Sequence, residues 1–356
     1  MKVLGMFVLV GGLLSATTAS AGPVVREAAG ANAAAIQAAV DLFRADLGGV
    51  NNGNTVGSQP SGRREINWDG GGAAATVTLD PSPMTRFSAR GAMFVTPGSG
   101  FEISGAPTPL LVDQNPTYAG LFAAFSAPRI FTSLDSHVMD VLFHEPGNTA
   151  IPAGVSGFGA VFTNVDLATN TRLQFYAPDG VLLFERAVPA ATGNATLSFL
   201  GVSFNAGEVV GRVHIVSGNT TMGLNEKAGA GATPTNVVAM DDFIYAEPVN
   251  TAGLVVSPTT GTIFRTTAFD LVIGLAASAG VPTGGRILFD GTDVTPYMVG
   301  CLQQGTLTSG GLTLRCPIPR ALFTAGDHVL QVTITLANQT PRRTAVRWTV
   351  VGNTEP

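Results

Sequence analysis

The chain has 356 residues, a net charge of -5 and charged side chains at only 12% of positions. No run of Lys and Arg is present that could neutralise a row of phosphates, so nucleic acid is excluded as an expected partner. With 44 Gly and 22 Pro and few Lys and Glu, the composition favours short strands joined by tight turns over helices.

Lys2 forms a short basic region, Val3 to Leu14 an apolar run, and Ala19-Ser20-Ala21 a small-residue cleavage site. This pattern predicts a signal peptide over 1–21 and a mature start at Gly22. The apolar run is short for a membrane span, no cysteine follows it to accept a lipid, and no later stretch is long and apolar enough to span. The expected location is secreted and extracellular, with the periplasm as the alternative, and no membrane span is expected in the mature chain.

From Ala33 to Leu47 the residues Ile36, Val40, Phe43 and Leu47 recur at spacings of four, three and four, one face of a helix. Gly48-Gly49 stops it, and a polar Asn-Gly loop follows, so 22–59 reads as helix and loop. Next comes "SGRREINWDGGG", Ser61 to Gly72, at the start of a domain expected over 60–248. On a strand, Arg64, Ile66 and Trp68 share one face, and Arg63, Glu65, Asn67 and Asp69 share the other. Two readings follow. An exposed Trp68 ring could stack on a sugar while Arg63, Glu65, Asn67 and Asp69 bind hydroxyls. Alternatively Trp68 closes the core, Asp69-Gly70 makes a turn, and Glu65 pairs with an arginine.

Period-two alternation then dominates, with strands expected near Ala92–Thr96, Val138–Phe143, Gly157–Val165, Leu197–Phe204, Val209–Val216 and Val237–Tyr245. Pro178-Asp179-Gly180 joins Thr171–Tyr176 to Val181–Arg186 as a hairpin with Leu173 and Phe175 inward. Turn signals at this spacing, without strand-helix alternation, predict an all-β antiparallel double sheet. Asn164, Asp166, Asp241 and Asp242 form a candidate oxygen-rich site for a structural Ca2+, the one cofactor the sequence offers. Asp241 and Asp242 point to opposite faces of a regular strand, so both can coordinate only across a bulge. The reading set against calcium is that these are solvated turn acids.

Enzyme chemistry has little support in the motifs. Glu65, Asp69, Glu102, Asp140 and Glu145 carry no pairing pattern that a glycosidase would require. His137 and His144 in "HVMDVLFHEPG" are seven apart, hence on opposite faces of a strand, and no HExxH, G-x-S-x-G or Walker pattern occurs. The expectation is a non-enzyme.

Glu247-Pro248-Val249-Asn250-Thr251 reads as a seam. Beyond it, about seven short strands with an inward Trp348 give the length and rhythm of an Ig-like sandwich over 252–351. Asp290-Gly291-Thr292-Asp293 reads as a hairpin turn. The two cysteines, Cys301 and Cys316, are expected to pair in an oxidising compartment, stabilising by about 3 kcal/mol. Two thiols without nearby His leave a zinc site unfilled.

Taken in order, "FRADLGGVNNGN", "SGRREINWDGGG", "RGAMFVTPGSGFEIS", "GFGAVFTNVDL", "LSFLGVSF" and "VVAMDDFIYAEP" resemble a group of secreted bacterial proteins of uncharacterised function with a lectin-like jelly-roll domain. The resemblance spans about Ala33 to Pro248, and the tail resembles Ig-like accessory modules of exported proteins. It implies a jelly-roll β-sandwich followed by an Ig-like β-sandwich, and carries no activity with it. The function expected is non-catalytic binding of an extracellular glycan or cell-envelope polymer. The alternative is a structural or adhesive surface protein that uses both sandwiches as spacers.

Overall fold

The computed structural model describes residues 22–70, 75–106, 115–178, 180–205, 208–226, 234–251, 254–257, 261–264, 270–276, 282–298, 306–308, 311–317, 324–337 and 339–351. The leader expected over 1–21 lies outside the described residues.

The chain runs β1 (Val24–Gly30), α1 (Ala33–Asp46), β2 (Arg63–Ile66), β3 (Thr78–Asp80), β4 (Ala92–Val95), β5 (Gly100–Ile103), β6 (Phe131–Leu134) and β7 (Val138–Glu145). It continues through β8 (Asn148–Gly154), β9 (Gly157–Thr163), β10 (Arg172–Tyr176), β11 (Leu182–Ala187), β12 (Leu197–Ser203), β13 (Arg212–Val216), β14 (Ala239–Ala246) and β15 (Val249–Asn250). These strands form two sheets. One contains β12, β9, β14 and β6 side by side, and the other contains β11, β10, β13 and β7. With β8 set aside, β6, β7, β9, β10, β11, β12, β13 and β14 lie in the orders β6-β14-β9-β12 and β7-β13-β10-β11 in the two sheets, which is a jelly-roll topology. β1, β2, β3 and β5 extend the first sheet; β4, β8 and β15 extend the second.

β9 and β12 are buried along their whole length, and the cause is α1. Asn32 caps the helix by accepting from the Ala35 N–H, and its buried stripe of Ile36, Val40 and Phe43 lies on the outer face of the first sheet. Gly159 and Gly201 are directly paired across β9 and β12. A Cβ on Gly201 would meet Phe43 Cγ at 2.6 Å, and one on Gly159 would meet Phe43 Cε1 at 2.8 Å. Bare backbone at both positions lets the Phe43 ring rest on the sheet, so strands that would otherwise have a wet face are buried on both.

β1 is a strand where the sequence predicts only the approach to a helix. It pairs with β12 over seven positions, and two ion pairs fix this edge: Arg26 with Asp46 at 2.7 Å and Glu27 with Arg186 at 2.6 Å. The partner strand supplies the order that the weak alternation of VVREAAG does not.

The second sandwich comprises β16 (Leu254–Ser257), β17 (Gly261–Phe264), β18 (Asp270–Ala276), β19 (Pro282–Phe289), β20 (Thr292–Asp293), β21 (Thr306–Thr308), β22 (Gly311–Pro317), β23 (Gly326–Leu336) and β24 (Gln339–Val351). Its sheets run β16-β18-β22-β21 and β17-β24-β23-β19-β20, with β17 parallel to β24. This is an Ig-like arrangement. Trp348 is fully buried in its own core with Leu271, Ile273 and Val332. Asp290 and Gly291 both have positive φ, 48° and 78°, forming the two-residue turn between β19 and β20. Cys316 lies in β22 opposite Leu271, while Cys301, and with it the expected disulfide, lies outside the described residues. No helix among the described residues is long and apolar enough to cross a membrane.

Candidate functional site

The face division expected for "RREINWD" is observed: Arg64, Ile66 and Trp68 are buried, whereas Arg63, Glu65 and Asp69 are half-buried and Asn67 is exposed. Arg64 is fully buried and meets Glu247 with both prongs of its guanidinium, Nε to Oε2 at 2.8 Å and Nη2 to Oε1 at 2.7 Å. Its remaining donors go to the carbonyls of Gly53, Ala89 and Gly57. Glu247 also accepts from Asn52 Nδ2 and the Gln59 N–H. The cation is therefore fully matched, and it ties the 51–59 loop to the end of β14.

The strand ends at Ile66, earlier than the alternation implies, because Trp68 adopts φ 64°, a left-handed conformation that is costly for a bulky side chain. This turn places the indole inside the sandwich. Trp68 is 2% exposed and stacks on Phe131 with centroids 3.9 Å apart, edge-on to Phe87 and Phe243. The exposed aromatic platform is thus corrected: Trp68 is a core plug, fixed by the aromatic cluster around it. Its indole N–H is buried and has no acceptor among the described residues.

One edge of that plug nevertheless borders open space. Asn67, Trp68, Asp69, Gly70, Thr78, Arg86, Phe87, Arg90, Ile103 and Arg129 wall a cleft of about 620 Å³, within the range that holds small ligands. Its lining carries three arginines against one carboxylate among the described residues. Arg86 pairs with Asp80 at 2.7 Å. Arg90 donates Nε to Asn54 Oδ1 at 2.7 Å and Nη1 to the Glu65 carbonyl, and meets no carboxylate among the described residues. Arg129 is buried, and its donors reach only oxygens of Ser104, Gly70, Thr76, Thr78 and Ile103. Burial pushes the Arg129 guanidinium down from the usual arginine value; the Asp69 charge opposes this and the Arg86 charge adds to it. Burial likewise raises Asp69 above the ordinary carboxylate value, against the Arg129 N–H that it accepts at 3.0 Å. Asn67 Nδ2 donates to Asp69 Oδ2 at 3.0 Å and holds that carboxylate at the rim.

Arg63 and Glu65 do not reach the cleft, which corrects the second part of the ligand expectation. Arg63 Nε bonds Glu65 Oε1 at 2.6 Å and its Nη1 bonds the Gly48 and Gly49 carbonyls. Glu65 also binds Arg44 of α1 at 2.8 Å. The outward face of β2 clamps the helix to the sheet.

The four metal candidates divide into two separate networks. β14 does carry a bulge between Met240 and Phe243, so Asp241 and Asp242 both reach Ser126. Asp241 accepts the Phe125 and Ser126 N–H groups at 2.6 and 3.1 Å. Asp242 accepts the Ser126 hydroxyl and lies 3.5 Å from Arg44. Burial raises both carboxyls, Asp242 to about 6, and the neighbouring Asp242 charge raises Asp241 further. Asn164 and Asp166 instead belong to a cluster with Asn236 and Glu226: Asn164 Nδ2 donates to Glu226 Oε1 at 2.6 Å, and the Asp166 N–H to Asn236 Oδ1 at 3.0 Å. The single site expected from these four residues is corrected accordingly. The four side chains do not converge, and no group of three or more His, Cys, Asp or Glu suited to a metal occurs among the described residues.

The remaining carboxylates are dispersed. Glu102 is buried in β5, and Glu145 accepts from Asn250 Nδ2 at 2.8 Å. On the second sheet, burial works upward on Asp140, but bonds from His214 and Arg212 outweigh it and hold the carboxyl below its usual value. His144 is buried and His137 half-buried. The residues missed by sequence reasoning, Arg86, Arg90 and Arg129, come from loops between strands, where no periodicity marks them.

No family model and no curated protein matches the chain. Among solved structures it is similar to the crystal structure of murine CEACAM1b, at 15% identity over 61% of this chain and 94% of that one, with a TM-score of 0.19. A likeness that slight bears on neither fold nor ligand.

Proposed function

We propose that the chain is a secreted, non-catalytic binding protein that takes a segment of extracellular glycan or cell-envelope polymer into the cleft beside Trp68. The observation that carries this reading is the cleft itself, a space of about 620 Å³ with Asn67, Asp69, Arg86 and Arg90 as polar walls and Phe87 and Ile103 as apolar ones. Rigid strands and the stacked Trp68 ring support those walls, so binding costs little ordering of the protein. Asp69 is the one carboxylate among the described lining residues, whereas hydrolysis of a glycosidic bond ordinarily uses two.

A glycan array tests the reading. Saturable binding to defined saccharides that weakens on Asn67→Ala supports it, and a blank array contradicts it. Product release from a polysaccharide panel that disappears in Asp69→Asn would replace binding with catalysis. The structural reading has its own observation: Arg347 of β24 lies 3.7 Å from Glu208 of the first sandwich, bracing the two modules as a spacer. Blank arrays together with tight retention on cell surfaces would favour it.

A further inference from the structure

We infer that the cleft selects anionic saccharides, chains whose residues carry a carboxylate or sulfate; this rests on the binding reading above and names its ligand class. The argument begins with Arg64, whose buried charge is cancelled by Glu247. Arg129 is as deeply placed, yet its bonds go to backbone carbonyls and one hydroxyl, and no carboxylate lies within ion-pair distance among the described residues. Arg90 has polar partners on Nε and Nη1 and no acid. Arg86 shares Asp80 at the outer rim. The cleft therefore holds a net positive field, which its protein walls focus.

Each arginine has a distinct part. Arg129 bonds protein oxygens through Nε, Nη1 and Nη2 and contributes field. Arg90 keeps Nη2 for a new acceptor, and Arg86, whose side chain is 45% exposed, can turn from Asp80 to the ligand. Guanidinium groups match the planar oxygen pair of a carboxylate and the oxygens of a sulfate equally well. Asn67 and Asp69 at the rim suit the hydroxyls of a sugar, and Phe87 and Ile103 suit its apolar face. A bare inorganic anion would use the first set and leave the second idle, which is why a saccharide is assigned.

The test titrates the protein from Gly22 onward, by calorimetry, with four probes: an oligouronide, a sulfated oligosaccharide, a neutral oligosaccharide of the same length, and inorganic phosphate. The expected result is binding of one or both acidic oligosaccharides at least about tenfold tighter than the neutral one, weakening as NaCl is raised. The stronger acidic probe identifies the group. Arg90→Gln should lower that affinity about tenfold, and Arg86→Gln, which disturbs only a rim ion pair, about threefold; each should lower acidic binding by a larger factor than neutral binding. Equal affinity for neutral and acidic chains overturns the inference and leaves the binding reading standing. Phosphate bound as tightly as the saccharides also overturns it, as does acidic binding unaffected by both variants. No binding of any probe overturns this inference and the reading beneath it.

Discussion

Arg64 and Arg129 are two buried guanidiniums in the same sandwich with opposite surroundings. Arg64 is held by a carboxylate from the end of β14 and by three carbonyls; the Arg129 guanidinium bonds only neutral oxygens among the described residues and borders an open cleft. The difference separates structure from recognition. A cation matched inside the protein secures the fold, whereas one left unmatched beside empty space attracts an outside charge.

The largest expected effect comes from breaking the matched side. Glu247→Ala leaves Arg64 charged and buried without its acid, and should destabilise by about 3–5 kcal/mol, read from the urea midpoint. Pairing Arg64→Met with Glu247→Leu should recover much of that loss, since both charges leave together. Arg129→Met provides the contrast. It strands several carbonyls but also removes a buried charge that has no ion-pair partner among the described residues, so its cost should be smaller, about 1–2 kcal/mol. A loss as great as that of Glu247→Ala would break the distinction.

Burial has a further consequence at Asp242, where loss of solvent, with the Glu65 charge adding to it, outweighs the Ser126 bond and the Arg44 charge that faces the carboxyl from α1. Its folded value of about 6 lies above the ordinary 3.8, so the native state holds a proton that the unfolded chain releases. The stability from this group is full below about pH 4, declines as pH rises toward 6, and is then level. Asp242→Asn should flatten that decline, an effect of up to about 2 kcal/mol, measurable by urea melts at pH 4, 5, 6 and 7. The smallest expected effect is that of a chelator. Asp241 is already served by N–H donors, and Asn164 and Asp166 belong to another network, so EDTA should leave the thermal midpoint unchanged; a fall would point to a bound metal.

Much of the fold was legible because period-two alternation and turn residues report sheets directly. The hairpin around Pro178 is observed, with Leu173 and Phe175 buried as its alternation requires. The helix is seen too, its stripe from Ile36 to Phe43 covering the sheet. β1 was not legible, since its order comes from β12. At the candidate site the faces of β2 were readable, and of the two readings of Trp68 the core plug is the one observed, but the left-handed turn that seats it was not legible. Arg86, Arg90 and Arg129 could be found only in three dimensions, because loops bring them together from outside any repeating pattern.

The most direct test uses the two tryptophans, one beside the cleft and one buried in the second sandwich. In Trp348→Phe, Trp68 is the sole indole, and titration with an oligouronide should change its emission in a saturable curve matching the calorimetric affinity. Binding by calorimetry with no change in Trp68 emission would place the ligand elsewhere and contradict the account.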